Sequence, residues 1–456
     1  MTSYDKGIVI MVWILAAGWM LPQIPSSASA DPPSLDRATA IATALRFNPQ
    51  VQAARSQVQA LTARTTQANA GLLPQLDVSE TFSNTNTPLG AFGTKLNQGT
   101  VTSQDFNPGM LNDPDAINNY RTALTLSWHL FDGGNTWIGR QQARMNESAG
   151  QLALTRTQQQ TIAQTATAYA GCLLTRENRE VVDQALKTAQ AHLKVVEDRQ
   201  RSGLAVKSDV LRAQVRIADL RQQLLQAESS QRVALAMLGA AMGKPDMVTE
   251  GMHLTTRIDD AAPFTGNLAS WLTRAQDRSD LKQLELLEQV ALKQVDRAQT
   301  GHYPTLALQG NYEINTEDFS DTKDGYAVGA VLKVNVFSGQ RISGQSAEAR
   351  AALARISAMR DGLALGVRVD TQKAFYEAQS AWQSIEVARS AVAQAEEGLR
   401  IVANRYQNGL LPLVSLLDAQ VALQEAQTRH FKALHDYNVA RIALALAGGV
   451  IDKNFR

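Results

Sequence analysis

One cysteine in 456 residues, Cys172, leaves no partner for an internal disulfide. It lies in the helical run Ala170-Gly171-Cys172-Leu173-Leu174 and reads there as a small buried apolar residue. A formal net charge of only +1 removes the case for nucleic-acid binding, which needs a basic stripe. Aromatic residues make up 6% of the chain, and the long middle segments are rich in Ala, Gln, Leu and Arg. That is the composition of long helices rather than of a compact α/β enzyme. No Ser/His/Asp grouping, P-loop or glycine-rich nucleotide turn is present, so neither an enzyme nor a cofactor is expected. The six histidines are scattered, and His430 and His435 miss the i,i+4 spacing that sets two metal ligands on one helical face.

What is present is a message written twice. Phe131, Gly133, Ala143, Arg144 and Ala168 are matched by Phe337, Gly339, Ala349, Arg350 and Ala374. Arg199, Gly203, Leu204, Leu211, Ala213 and Gln214 are matched by Arg405, Gly409, Leu410, Leu417, Ala419 and Gln420. The offset is constant (409 − 203 = 206) and ungapped. A repeat of this length implies one structural unit built twice. The expected boundaries are a first repeat over 31–244, a linker over 245–266, a second repeat over 267–449 and a tail over 450–456. The linker, the mature N-terminus and the tail are expected to form a small mixed belt around the middle.

Residues 1–30 read as an export signal. Lys6 precedes an apolar run from Ile8 to Leu21, and Ala28-Ser29-Ala30 supplies a small-x-small cleavage site before Asp31. The run is shorter than the ~20 residues of a spanning helix, and no later stretch is apolar enough to be one.

Four segments alternate with period two, at about 75–83, 120–131, 304–315 and 326–337. In the second, Tyr120, Leu124, Leu126, Trp128 and Leu130 alternate with Arg121, Ala123, Thr125, Ser127 and His129. A strand with one apolar and one polar face, ~9–11 residues long, can cross a bilayer in a barrel. The aromatics Tyr120, Phe131, Tyr326 and Phe337 near the ends suit interfacial girdles. A soluble sheet on a core shows the same alternation, so the pattern alone leaves both open. Long polar loops, Asn84 to Asn119 and Thr316 to Gly325, join the strands in pairs, as on the outer side of a barrel. Four strands cannot close a barrel, and two copies would make a small one filled by its own side chains. A conduit therefore implies three copies or more.

Helices are expected at about 35–70, 136–201, 207–239, 268–299, 341–408 and 412–448. The two longest would each run on the order of 100 Å. Each stops at a glycine, Gly203 or Gly409, before a return helix with small apolar residues spaced for side-by-side packing. A soluble periplasmic coiled-coil adaptor is the competing class. It predicts one hairpin with compact β domains, whereas two hairpins and four strands are read here.

Taken together, these pieces resemble the TolC-like family of outer-membrane efflux proteins over essentially the whole mature length. The resemblance is carried by Ala44-Leu45 with Asn48-Pro49-Gln50-Val51, by Leu73-Pro74-Gln75-Leu76, and by Leu130-Phe131-Asp132-Gly133-Gly134 with its echo Val336-Phe337-Ser338-Gly339. The turns Gly203-Leu204 with Ser208-Asp209-Val210-Leu211, and Gly409-Leu410 with Ser415-Leu416-Leu417-Asp418-Ala419, complete it. The family resemblance implies a mainly α fold with a transmembrane β-barrel. Three chains would close a twelve-stranded barrel on a long α-helical barrel of coiled-coil hairpins. It implies a passive exit duct of a tripartite efflux system, or of a type I protein secretion system. Its partners would be a periplasmic adaptor, an inner-membrane transporter of RND or ABC type, and outer-membrane lipid.

By motif position the resemblance makes Asp418 a ring residue of the periplasmic gate and Asp209 a gate-proximal residue. Ser415 stands where some members carry another carboxylate. For Asp209 a second reading stands beside the first: with Ser208 it opens a helix, where an acid favours the dipole. A solvated helix face is the alternative for Asp418. Arg199 and Arg405, a turn before each glycine, are candidates for ties between helix tips, with Asp209 as a partner. The turns at Gly203, Leu204, Gly409 and Leu410 are the expected adaptor-docking surface.

Overall fold

The structure, a computed structural model, describes residues 34–249, 251–258 and 263–454. The export signal and its cleavage site lie outside these residues. In chain order, β1 (Ser34–Leu35) leads into α1 (Arg37–Phe47), α2 (Pro49–Ala70) and β2 (Gln75–Thr85). Two short helices, α3 (Pro88–Gln98) and α4 (Pro108–Asn112), precede β3 (Ile117–Asp132). Then come α5 (Asn135–Arg201), α6 (Lys207–Met242), β4 (His253–Leu254), α7 (Leu268–Ala275) and α8 (Ser279–Gln299). The second half continues with β5 (Thr305–Thr316), β6 (Lys323–Lys333), α9 (Arg341–Gln407), α10 (Leu413–Ala447) and α11 (Ile451–Asn454).

The four long strands form one antiparallel sheet in the order β2-β3-β5-β6, leaving β2 and β6 as its edges. The register puts Asn119, Arg121, Thr125, Asn311, Glu313 and Asn315 on one face. Leu124, Leu126, Trp128, Leu308, Tyr312 and Tyr326 share the other. On the polar face Arg121 and Glu313 pair at 2.9 Å. On the apolar face Phe82, Tyr120 and Phe319 stack in a row near the loop end. A bulge between His129 and Phe131 inserts one residue into β3. It sets odd-numbered Phe131 opposite Leu306, on the apolar face, so the aromatic keeps its place despite its parity.

Several boundaries differ from the sequence expectation. The first helix breaks at Asn48, because Pro49 has no N–H to give and holds the preceding residue extended. Asn48 accepts a cap bond from the Gln50 amide and donates to the Ala241 carbonyl of α6 at 2.8 Å. A second break falls at 276–278, between α7 and α8. The last strand ends at Lys333, so Phe337 lies beyond the sheet, exposed. The long polar loop after β2 contains two helices. Two further strands, β1 and β4, pair in parallel away from the sheet.

Long helices α5 and α9 are each 67 residues and unbroken. Next to the sheet the packing order is α2-α5-α8-α9, and beyond the middle it is α6-α5-α10-α9. Each chain is therefore a wall four helices wide. Its largest cluster of buried apolar residues lies midway along α5, where Tyr169 is buried among Leu35, Leu238, Met242 and Leu254 and donates to the Leu35 carbonyl at 2.9 Å. Cys172 sits in the same cluster, and burial pushes its thiol up to about 12. Ile451 of the tail closes a neighbouring cluster with Ile41, Ile162 and Ile442.

Carbonyls at the end of α10 meet a buried ionic network. Arg278 grips Asp280 with two bonds of 2.6 and 3.0 Å, and Arg156 approaches the same carboxylate at 3.5 Å. The two guanidiniums also donate to the Leu446 and Ala447 carbonyls at the end of α10, which accept from the Gly449 amide and the Thr371 hydroxyl as well.

Candidate functional site

At the end opposite the sheet, both hairpins turn in the same way. Gly203 and Gly409 adopt left-handed conformations, with φ of 76° and 74°. In each turn the glycine N–H returns to the carbonyl three residues back, and the following leucine N–H to the one five back. These bonds run Gly203 to Gln200, Leu204 to Arg199, Gly409 to Tyr406 and Leu410 to Arg405. This paired closure satisfies two terminal carbonyls and requires a residue tolerant of positive φ. It leaves Leu204 and Leu410 at the tips, each 72% exposed.

Beneath the tips one cluster joins the two hairpins of a single chain. Val196, Val210 and Ala213 of the first pack with Tyr406, Leu413 and Leu416 of the second. Arg199 crosses the seam. Its Nη1 donates to the Tyr406 carbonyl at 2.9 Å, and its guanidinium lies 5.1 Å from the Tyr406 ring centroid. Burial pushes the Tyr406 hydroxyl up, the Arg199 charge opposes this, and the Asp209 charge adds to it. A second tie follows higher up, where Arg216 donates to Gln424 at 2.6 Å and Gln424 to Gln223 at 2.8 Å.

The expected site residues are thus distributed unevenly. Arg199 is the tie between tips, but its acceptor is a main-chain carbonyl rather than Asp209. Asp209 sits half-buried in the first turn of α6, near enough to act on Tyr406 through its charge. Arg405 and Asp418 are exposed and make no side-chain hydrogen bond or ion pair among the described residues. Tyr406 was missing from the sequence reading. Its trace is a broken repeat, since the position equivalent by the 206 offset is Gln200. Among the described residues no group of three or more potential ligands could hold a metal ion, and no helix is long and apolar enough to cross a membrane.

An amphipathic sheet continuous with paired hairpins of this length is the build of a channel-forming subunit, with membrane wall and helical conduit drawn from one chain. The chain belongs to the outer membrane efflux protein family, whose model matches residues 40–244 and 273–450. Among curated proteins it is 27% identical to protein CyaE of Bordetella pertussis, over 75% of this chain and 73% of that one. It is 25% identical to the pyoverdine export outer membrane protein OpmQ of Pseudomonas aeruginosa, over 87% of this chain and 80% of the other. Among solved structures, the outer membrane protein VceC of Vibrio cholerae superposes with a TM-score of 0.73 at 22% identity, covering 91% of this chain and 96% of that one.

Proposed function

We propose that this protein is a passive exit duct of the outer membrane. Three copies would close a twelve-stranded barrel and a helical barrel that reaches through the periplasm. The observation that carries this reading is that one chain is open along the same two edges throughout its length. The sheet ends in unpaired β2 and β6. The helical wall ends in α9 on one side and, on the other, in α2 near the sheet and α6 beyond the middle; α6 exposes Val215, Leu225 and Met237, and α9 exposes Leu365, Val369 and Val387. An open sheet edge in lipid leaves backbone groups unpaired at several kcal/mol each, so the edges must meet in an oligomer. Likeness to a protein named for pyoverdine export supports outward transport.

The equal lengths of α5 and α9, and their starts 206 residues apart (341 − 135), support a unit built twice. The polar sheet face would line the lumen and the apolar face would meet lipid. The tips would form the periplasmic mouth, with Asp418 ringing it, Arg199 and Tyr406 holding each chain's tips together, and Asp209 and Arg405 close to the seam. Leu204 and Leu410 would dock a periplasmic adaptor, which couples the duct to an inner-membrane transporter of RND or ABC type. Native mass measurement in detergent tests the assembly. Three copies are expected, and a stable monomer would overturn the reading.

A further inference from the structure

The loop between β2 and β3 does not extend away from the sheet. Helix α3 lies back over it, at the end far from the hairpins, and touches β3, β5 and β6. Three contacts fix which face it covers. Gln98 Nε2 donates to the Asn118 carbonyl at 2.7 Å and to Asn119 Oδ1 at 3.0 Å. Asn119 Nδ2 donates onward to Asn315 Oδ1 at 2.9 Å. Left-handed Gly99, which ends α3, lies against the Lys323 side chain, where an added Cβ would come within 2.9 Å of it. Asn119, Asn315 and Lys323 all belong to the polar face by register.

A salt bridge braces the loop from within. Lys95 donates to Asp105 at 2.7 Å, and the other Asp105 oxygen accepts from the Thr102 amide at 2.7 Å and the Thr102 hydroxyl at 2.8 Å. Gln98, Asn119 and Asn315 are buried at the junction, an environment that polar groups in an exposed, mobile loop would not have. A loop held by a few neutral hydrogen bonds, each worth about 1 kcal/mol net, can be displaced by a passing load.

We infer that residues 86–116 fold inward over the lumenal face and act as a size filter at the outer mouth. Three copies would narrow the opening to bulky solutes from outside. The inference rests on the duct reading, in which the polar face lines the lumen. It adds a restriction at the end opposite the helical tips.

Thiol labelling of the full-length protein in intact cells tests it. Gln309 is exposed on the same polar face, six residues from Asn315 toward the hairpins. That is about 20 Å deeper along β5. The Gln309→Cys protein is treated with a small sulfonated maleimide and with a maleimide on a long polyethylene glycol chain. Buried Cys172 serves as the unreactive background. The polymer reagent is expected to react at least about tenfold more slowly relative to the small one than it does at an exposed loop-tip site, Asp321→Cys. Replacing 88–112 by a short Gly/Ser linker, or combining Lys95→Ala with Gln98→Ala, should remove most of that difference. Equal relative rates at the two sites with the loop intact would overturn the filter, and that comparison needs no loop variant to fold. No labelling of position 309 by either reagent would overturn the duct reading itself.

Discussion

Arg199 and Tyr406 stand 207 positions apart, yet the guanidinium of one caps the ring and the carbonyl of the other. That carbonyl also accepts the Gly409 amide at 3.0 Å. One oxygen therefore closes the second turn and joins it to the first hairpin, using both of its lone pairs. Arg199→Ala should release the seam at a cost of about 2 kcal/mol, taking a charged hydrogen bond and a half-exposed cation–π contact together. Amide exchange around Val196 and Val210 should quicken and resting conductance in a planar bilayer should rise. Arg405→Ala should leave exchange in that cluster unchanged, because the Arg405 side chain makes no hydrogen bond or ion pair among the described residues. A change in its conductance alone would locate the contact of Arg405 on a neighbouring copy.

Leu204 and Leu410 contribute little to the fold, being exposed at turns that backbone bonds already close. Surface changes of this kind usually shift stability by less than about 0.5 kcal/mol. The double substitution of both leucines by Asp should leave assembly intact and abolish export and crosslinking to an adaptor. Undiminished export by that double variant would remove the tips from the docking surface.

Asp418→Ala is expected to lower cation preference and weaken block by multivalent cations. In the proposed trimer, three like charges around the axis would attract counterions into a narrow mouth. Single-channel reversal potentials under a salt gradient measure the first effect, and titration with a trivalent cation the second. If both match the unaltered channel, Asp418 does not face the passage.

Acid should weaken the middle of the molecule through Asp280. Burial alone would push its carboxyl up. The Arg278 hydrogen bond and the charges of Arg156 and Arg278 outweigh burial and hold it below the ordinary range. A lowered carboxyl stabilises the fold above the unfolded value, near pH ~4, and loses that contribution as pH falls below it. Asp280→Asn removes the negative charge between two guanidiniums and should cost about 3 kcal/mol at neutral pH. Thermal unfolding of the variant should then be less sensitive to acid than that of the parent. Parallel acid dependence in the two proteins would exclude this network as the sensor.

Much of this arrangement was legible in the residues. Glycines ending helices and alternation in strands are local signals with a fixed physical meaning, and they located both hairpin turns and, to within a few residues, the four sheet strands. Others were present and passed over: Asn48-Pro49 marks a helix boundary by itself, yet one helix was expected across it. The fold of residues 86–116 was hidden because a polar loop and a polar loop packed on a polar wall have the same composition. The Arg199 tie could not be read at all, since its acceptor is a backbone carbonyl and any residue has one. Arg199 and Asp209 were joined by charge alone, and the structure prefers a fixed carbonyl to a mobile carboxylate.

Where the sheet meets the long helices, the chain passes through two left-handed residues in succession, Gly133-Gly134 before α5 and Gly339-Gln340 before α9. The helical bond ladder begins only beyond them, with Ile138 bonding back to Gly134 and Gly344 to Gln340. Each joint therefore sets, within two residues, the direction in which a 67-residue rod leaves its strand. The first is clamped: Asp132 accepts the Thr136 amide at 2.8 Å, and a Cβ on Gly133 would come within 2.8 Å of the Thr300 carbonyl. A larger residue at Gly133 would re-aim the whole rod.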